Sequence, residues 1–542
     1  MYKHYRDISM KFKNIYLIAT VAFIMVAAGS CKKELARVNT NPDQITADQV
    51  NPNLLLTTVQ LQYTGAPTEG GSVWVTKWGA VGCFVQHVAS TGGFYYGDKY
   101  LNNISAMGET FQDNYTSAVQ PAIELYQLTA NKPQYRNLHQ MARIMKAMIF
   151  EQLTDLYGDI PYFQAGLGYY DRIYTPVYDN QKVIYDDLLK EVSQATDSLS
   201  ATADNPTGDI LYSQSSNQIG EWKMFGNSLL LRMAMRLTKI DAPTAQKYVA
   251  QVAGKTMQSN ADNAIIQHVL SANSLTVNQD AAQIFSQDST DVRLSSTFIS
   301  NMKKMNDPRL PVVAWVAYGL KNRVFPKFAD NKPKDQFGLP PGYIIGGLNP
   351  AINLDSVAKD SLPKQGLGGY SRISDNLLSI TAPSLILTYA ETEFLLADAA
   401  QRWGVGGVAA THYNNGVLAA ITQLSAYGSA ATISTEDAQA YLTAHPYKAP
   451  TPAAGLSQIN MQYWLCSLMD EYEAWANWRR SGDLPFLTPT NYPGNVSQGT
   501  IPRRLTYPPS QKVTNLTNYN AEIAILSLTG GDKITTHVWW DK

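Results

Sequence analysis

A chain of 542 residues, 45% hydrophobic and 16% charged, is long enough to bury a large core and lacks the composition of a disordered protein. Its formal charge of −1, with no long basic run, argues against a nucleic-acid partner. Aromatics are abundant, with 32 Tyr and 10 Trp, and such rings either fill a core or offer flat faces on which sugars stack.

The N-terminus carries the first local signal. A basic stretch ending in Lys11 and Lys13 precedes an apolar run from Ile15 to Ala28, then Gly29, Ser30 and Cys31. The run is shorter than the roughly 20 residues a membrane-spanning helix needs, and matches the apolar part of an export signal. Small residues followed directly by cysteine resemble a lipobox, which predicts cleavage after residue 30 and lipidation of Cys31. Ala28 departs from the usual Leu at that position. Removing residues 1–30 takes away Lys3, Arg6, Lys11, Lys13 and one anion, Asp7, which shifts the formal charge from −1 to −4. Attachment then rests on lipid, at roughly 0.8 kcal/mol per buried methylene. Cys83 and Cys466 remain, and read either as one disulfide or as two buried thiols.

Residues 31–45 read as a tether, and a first helix follows over 46–63. A Gly- and Pro-containing loop spans 64–72. Apolar periodicity then predicts helices over 138–157, 181–199, 222–237, 385–403, 436–444 and 459–478. They fall into neighbouring pairs: 107–130 with 134–157, 181–200 with 220–239, 384–403 with 410–424, and 436–444 with 458–479. This spacing suggests tetratricopeptide-like stacking in about four pairs, mainly α with little β. The scaffold would run over 46–264 and 383–480. A long irregular insertion rich in Asn, Pro and Gly occupies about 265–382 and reads as a binding lobe. A C-terminal segment covers 481–542.

Catalytic motifs are missing. The seven histidines are scattered, with no metal-ligand spacing, no P-loop and no G-x-S-x-G elbow. Glu391 and Glu393 are close in sequence, but two residues apart on a helix they point to different sides, which does not suit a glycosidase pair. Asp155 and Asp159 read as capping or loop residues. No catalytic residue, metal or cofactor is expected.

A series of ordered motifs runs along the rest of the chain. It begins with Asn39-Thr40-Asn41-Pro42 and continues with Ala142-Arg143 through Tyr157-Gly158-Asp159-Ile160-Pro161. Next come Trp222-Lys223, Asn227-Ser228-Leu229 and Arg232, then Asp307-Pro308-Arg309-Leu310 and Tyr389-Ala390-Glu391. Trp478-Arg479-Arg480-Ser481-Gly482, Arg503-Arg504-Leu505 and Val538-Trp539-Trp540-Asp541 complete it. Together they resemble the SusD/RagB family of outer-membrane nutrient-binding lipoproteins, with Asp398 in place of one family Glu. The resemblance implies tetratricopeptide-like helix pairs, a less regular binding lobe and no catalysis. It also implies a TonB-dependent, SusC-like barrel as partner, with this protein as its hinged lid. Oligosaccharide is the usual cargo, and peptide is the alternative. Most motif residues read as structural: Arg143, Arg232, Arg236, Glu391 and Glu393 as interhelical ion pairs, Asp159 and Pro161 as a turn.

Ligand contacts vary with cargo, so candidates come from chemistry alone. A sugar site needs an aromatic platform beside planar polar groups. Phe94, Tyr95 and Tyr96, with Tyr100 and Asn102, offer that within ten residues. Trp74 and Trp78 lie just upstream, and their four-residue spacing also fits a buried helix face. In the insertion, Trp315, Tyr318 and Arg323 form a second cluster.

Overall fold

The computed structural model describes residues 50–65, 70–92, 96–270, 276–287, 291–316, 330–344, 369–482 and 484–542, with the side chains of 285–287 excepted. Residues Pro52–Lys542 form the folded body. The export signal, Cys31 and the tether lie outside the described residues.

Fourteen α-helices of nine residues or more are described, and they dominate the body. They are α1 (Pro52–Tyr63), α2 (Ile104–Asp113), α3 (Gln120–Thr129), α4 (Arg136–Tyr157), α5 (Gln181–Ser198), α6 (Gln218–Arg236) and α7 (Ala242–Val252). The rest are α8 (Ser296–Lys304), α9 (Tyr389–Trp403), α10 (Ala409–Thr422), α11 (Thr435–Ala444), α12 (Pro452–Cys466), α13 (Glu471–Ser481) and α14 (Leu516–Ser527). The expected pairing is present: α3 packs on α4, α5 on α6, and α9 on α10. In the last pair α11 packs on α10 and α12 on α9, and Gln462 Nε2 donates to the Tyr441 hydroxyl at 2.8 Å between them.

Helix limits follow local chemistry. Asn180 caps α5, while Asp159 accepts from the Gln181 N–H at 2.8 Å, so the turn after α4 fixes the start of the next helix. Two predicted helices differ from what is observed. Ser384–Leu387, expected inside a helix from 385, is a strand, because Thr388 caps α9 and starts it at Tyr389. The expected helix 459–478 is broken at 467–470. Met469 has φ +87°, and Asp470 caps α13 by accepting from the Glu473 N–H.

The helix α4 is buried on most of its surface, not along one stripe, because α1, α3, α5, α6 and α13 all pack against it. Its charged residues are matched there. Arg232 reaches Glu151 at 2.9 Å and Glu391 at 3.5 Å, and Arg236 bridges Asp155, at 2.9 Å, and Glu473. Nearer the surface Arg143 pairs with Glu191 at 2.9 Å, and Glu393 holds His412 at 2.9 Å. Glu391 and Glu393 thus face different partners, as their spacing requires. The C-terminus closes on the same core: the fully buried Trp540 donates its indole N–H to Asp155, and Arg479 lies 3.8 Å from the Trp475 ring. Cys83 is buried and Cys466 half-buried, and both are free thiols. Burial pushes the Cys466 thiol up to about 12.

Among the described residues, six short strands form three antiparallel pairs: β1 (Val88–Ser90) with β3 (Val292–Leu294), β2 (Ala264–Ile266) with β6 (Ser384–Leu387), and β4 (Ala314–Trp315) with β5 (Arg372–Ile373). The β2–β6 pair is where the chain leaves the scaffold and returns to it, with a register shift between Ala264 and Ile265.

Candidate binding site

The segment that carries the first aromatic cluster is built from β1 outward. Gly97 approaches the backbone of Ala80 so closely that a Cβ would lie 2.4 Å from its carbonyl oxygen, so only glycine fits. This packing buries the Asp98–Lys99 pair completely, with Lys99 Nζ 2.7 Å from Asp98 Oδ1. A buried charge pair of this kind needs its remaining groups satisfied. Asp98 Oδ2 accepts from the Ser90 N–H at 3.3 Å and from the Gly342 N–H at 3.1 Å, and the Asp98 carbonyl accepts from Thr490 Oγ1 at 2.6 Å. Asp98 thereby ties β1 and the 340–344 turn together through its carboxylate, and the C-terminal segment through its carbonyl.

Further anchors lie on the other side of β1. Ser295 donates its hydroxyl to the Gln86 carbonyl, Thr297 Oγ1 donates to Gln86 Oε1 at 2.7 Å, and Gln86 Nε2 donates to the Thr488 carbonyl at 2.6 Å. His87 faces Glu471 at 2.7 Å and the Trp464 carbonyl at 2.9 Å, fixing β1 to α12 and α13.

The second cluster is connected to the first through the backbone. β1 pairs with β3, the Leu294 N–H donates to the Ser371 carbonyl at 2.9 Å, and Arg372 pairs in register with Trp315. The bases of both clusters, more than 200 residues apart in sequence, therefore belong to one hydrogen-bonded patch. Thr91 also pairs with Asp291 at 2.9 Å.

The named candidates are distributed unevenly over this patch. Asn102 is exposed, and Trp74 is half-buried against the core. Trp315 is half-buried, donates to the Pro311 carbonyl at 3.3 Å and lies 5.8 Å from the Arg372 guanidinium. Trp78, Tyr96 and Tyr100 are in the core. Trp78 donates its indole N–H to Asp280 at 2.8 Å, and the Tyr96 hydroxyl donates to the Val75 carbonyl. Tyr100 is buried beside Phe84, and burial holds its hydroxyl up at about 12. These three rings offer no face to solvent. Phe94, Tyr95, Tyr318 and Arg323 lie outside the described residues.

Reading the sequence did not single out Asp98, Lys99, Gln86 or Gly342. The signal available was an adjacent acid and base inside an aromatic run, a pattern that favours a buried pair. It also passed over Tyr169 and Tyr174, which are 81% and 76% exposed on the 162–178 loop. That loop is fastened to α14 by Asn518 donating to the Thr175 carbonyl at 2.8 Å. Among the described residues, no group of three His, Cys, Asp or Glu is arranged to hold a metal ion, and no helix is long and apolar enough to cross a membrane.

A family profile described as SusD-like, "Starch-binding associating with outer membrane", matches residues 42–508. The chain belongs to the SusD-like family. Solved relatives share its fold along almost the whole length. A chitin-binding protein is 30% identical with a TM-score of 0.76, covering 91% of this chain and 100% of its own. A SusD-like protein described as Bacteroidetes AC2a is 24% identical with a TM-score of 0.77, over 91% and 100%. A chitin-binding SusD homologue from Flavobacterium johnsoniae is 21% identical with a TM-score of 0.71, over 91% and 99%. No curated protein sequence matches the chain. The SusD-like fold accounts for the helix pairs of the scaffold, in which α4, α6 and α9 carry the Arg and Glu residues of the motif series into the charge network described above.

Proposed function

We propose that this SusD-like chain is an outer-membrane lipoprotein, anchored through Cys31, that binds oligosaccharides without cleaving them. It passes them to a TonB-dependent, SusC-like barrel for which it serves as lid. The observation that carries this reading is the family match over residues 42–508, with the fold shared over 91% of the chain. A relative named as chitin-binding at 30% identity favours carbohydrate over peptide cargo.

The capture surface is the patch formed by β1, β3, β4 and β5, with the segments that emerge from it. Asp98, Gln86 and the His87–Glu471 pair hold its base rigid, so the cost of ordering falls on the ligand and the outer side chains. Trp315 and Asn102 supply an aromatic face and a planar amide, and Phe94, Tyr95, Tyr318 and Arg323 add to them. A few stacks and hydrogen bonds give roughly 4–8 kcal/mol, or millimolar to micromolar dissociation constants, which suits a protein that must release its cargo. The test is affinity purification of the tagged lipoprotein from gently solubilised outer membranes, followed by mass spectrometry and oligosaccharide-binding calorimetry. A TonB-dependent barrel in near-equal amount and saturable glycan binding are expected. Recovery of the protein alone, even after mild cross-linking, would overturn the lid role.

A further inference from the structure

A cavity of about 130 Å³ lies inside the body. The end of α1, Lys77, β6, the start of α9, Gln423 and the 465–473 link between α12 and α13 converge on it. Gln62, Tyr63, Lys77, Tyr427 and Tyr472 in its wall keep part of their surface exposed, so it communicates with solvent. A narrower space shares Tyr63, Asp470, Tyr472 and Glu473 with it.

Charge in this interior is unbalanced. Five carboxylates, of Glu151, Asp155, Glu391, Asp470 and Glu473, line the two spaces together with two guanidinium groups, of Arg232 and Arg236. The other charged wall residues are matched locally: Lys77 holds Asp280 at 2.8 Å, and Arg309 holds Asp307 at 2.6 Å. Surplus carboxylate away from water is costly unless protonated or met by a cation. Burial, helped by the neighbouring Glu473 carboxylate, holds Glu391 up at about 8 and Asp470 up at about 6.

A second, independent observation concerns hydrogen bonds. Arg309, Glu391 and Gln423 are each more than nine-tenths buried and line the cavity. One terminal atom of each, Arg309 Nη1, Glu391 Oε1 and Gln423 Oε1, has no hydrogen-bond partner among the described residues. The approach of Arg232 to Glu391 Oε1 at 3.5 Å is a charge contact and leaves that oxygen able to accept. Buried polar groups are satisfied in the great majority of cases, so one donor and two deeply buried acceptors left over around one cavity, with Oε1 of the half-buried Gln62 as a third acceptor, point to an occupant. The occupant must donate to two acceptors, one of them anionic, and accept from a guanidinium.

We propose that the central cavity binds a small primary amine that carries oxygen atoms. Its ammonium is met by the carboxylates of Glu391 and Asp470 and by Gln423 Oε1, and an oxygen of the ligand accepts from Arg309 Nη1. An amino sugar and an α-amino acid share this chemistry, and the experiment separates them. The proposal does not depend on the capture surface.

The test is calorimetric titration of the full lipid-free chain with glucosamine, glycine and N-acetylglucosamine, whose amide removes the charge. One of the two amines should bind at least tenfold more tightly than N-acetylglucosamine, and the tighter of the two identifies the source. Glu391→Gln should weaken binding at least tenfold. Gln423→Leu, which removes an unpartnered acceptor with little change in volume, should do the same while thermal unfolding stays intact. Binding should also release protons at pH 7, read from two buffers of different ionisation heat, because an ammonium favours the ionised form of Glu391. The groups facing Glu391 are Arg232 and Arg236 from α6, Tyr463 from α12, and Asp470 and Glu473 beside and on α13. No binding by either amine, or equal binding of glucosamine and its N-acetyl form, would overturn the proposal. Oligosaccharide binding lost with amine binding retained would leave this site standing and remove the surface reading instead.

Discussion

The helical scaffold and the strand patch solve the same problem, burying polar groups, in opposite ways. In the scaffold, long helices satisfy their own backbone, so side-chain charges carry the specificity. Arg232 and Arg236 on one helix reach carboxylates on α4, α9 and α13. In the patch, strands of two or three residues leave much of the backbone without ladder partners, and side chains supply them: Asp98 for Ser90 and Gly342, and Ser374 for the Val312 carbonyl at 2.6 Å. The scaffold therefore fails through charge, whereas the patch fails through lost backbone anchors.

The largest expected effect is on the scaffold. Arg236→Ala strands the Asp155 and Glu473 carboxylates in the core and should cost about 3–5 kcal/mol in denaturant unfolding, and a loss below about 1 kcal/mol would sink the comparison. Asp98→Ala should cost about 1–3 kcal/mol and raise amide exchange in 88–100 and 340–344 well before the helices open. Exchange rising uniformly across the molecule would erase the distinction.

The effect of pH sharpens the contrast. Burial holds Glu391 up at about 8 and Glu151 up at about 7, against an ordinary carboxyl value of 4.5. Between those limits the folded chain binds more protons than the unfolded chain. Stability contributed by these groups therefore falls as pH rises from about 5 to 8, then levels off. Glu391→Gln mimics the protonated acid and should flatten that slope, an effect on the order of 1–3 kcal/mol near pH 9. Melting temperatures recorded from pH 5 to 9 for both chains measure it.

The smallest effects on stability are expected at the surface. Trp315→Ala should cost about 1–2 kcal/mol or less, yet reduce oligosaccharide affinity roughly tenfold, since a stacking ring contributes on that scale. The Tyr169→Ala, Tyr174→Ala double variant should leave affinity within about twofold, because those rings sit on the 162–178 loop, which is fastened to α14. Affinity lost there and kept in Trp315→Ala would move the capture surface to that loop.

Much of the scaffold was legible because helix periodicity and caps are local. The apolar recurrences over 138–157 and 181–199 announce themselves within a few residues. The break at 467–470 and the strand at 384–387 were not, since short apolar runs fit either structure and neighbours decide. Of the capture surface, only the aromatic content was readable. Trp78 and Tyr100 have the same composition as a platform and lie in the core, because burial is set by what packs above them.

By itself the sequence determined the helix pairs and the family motifs, because period, capping and motif order act over short spans. Only the tertiary structure decided that Trp315 and the 96–102 segment share one patch, that Asp98 locks it, and that five carboxylates meet two guanidinium groups inside. Those outcomes depend on hydrogen bonds and Coulomb contacts between residues up to several hundred positions apart, which no local pattern encodes.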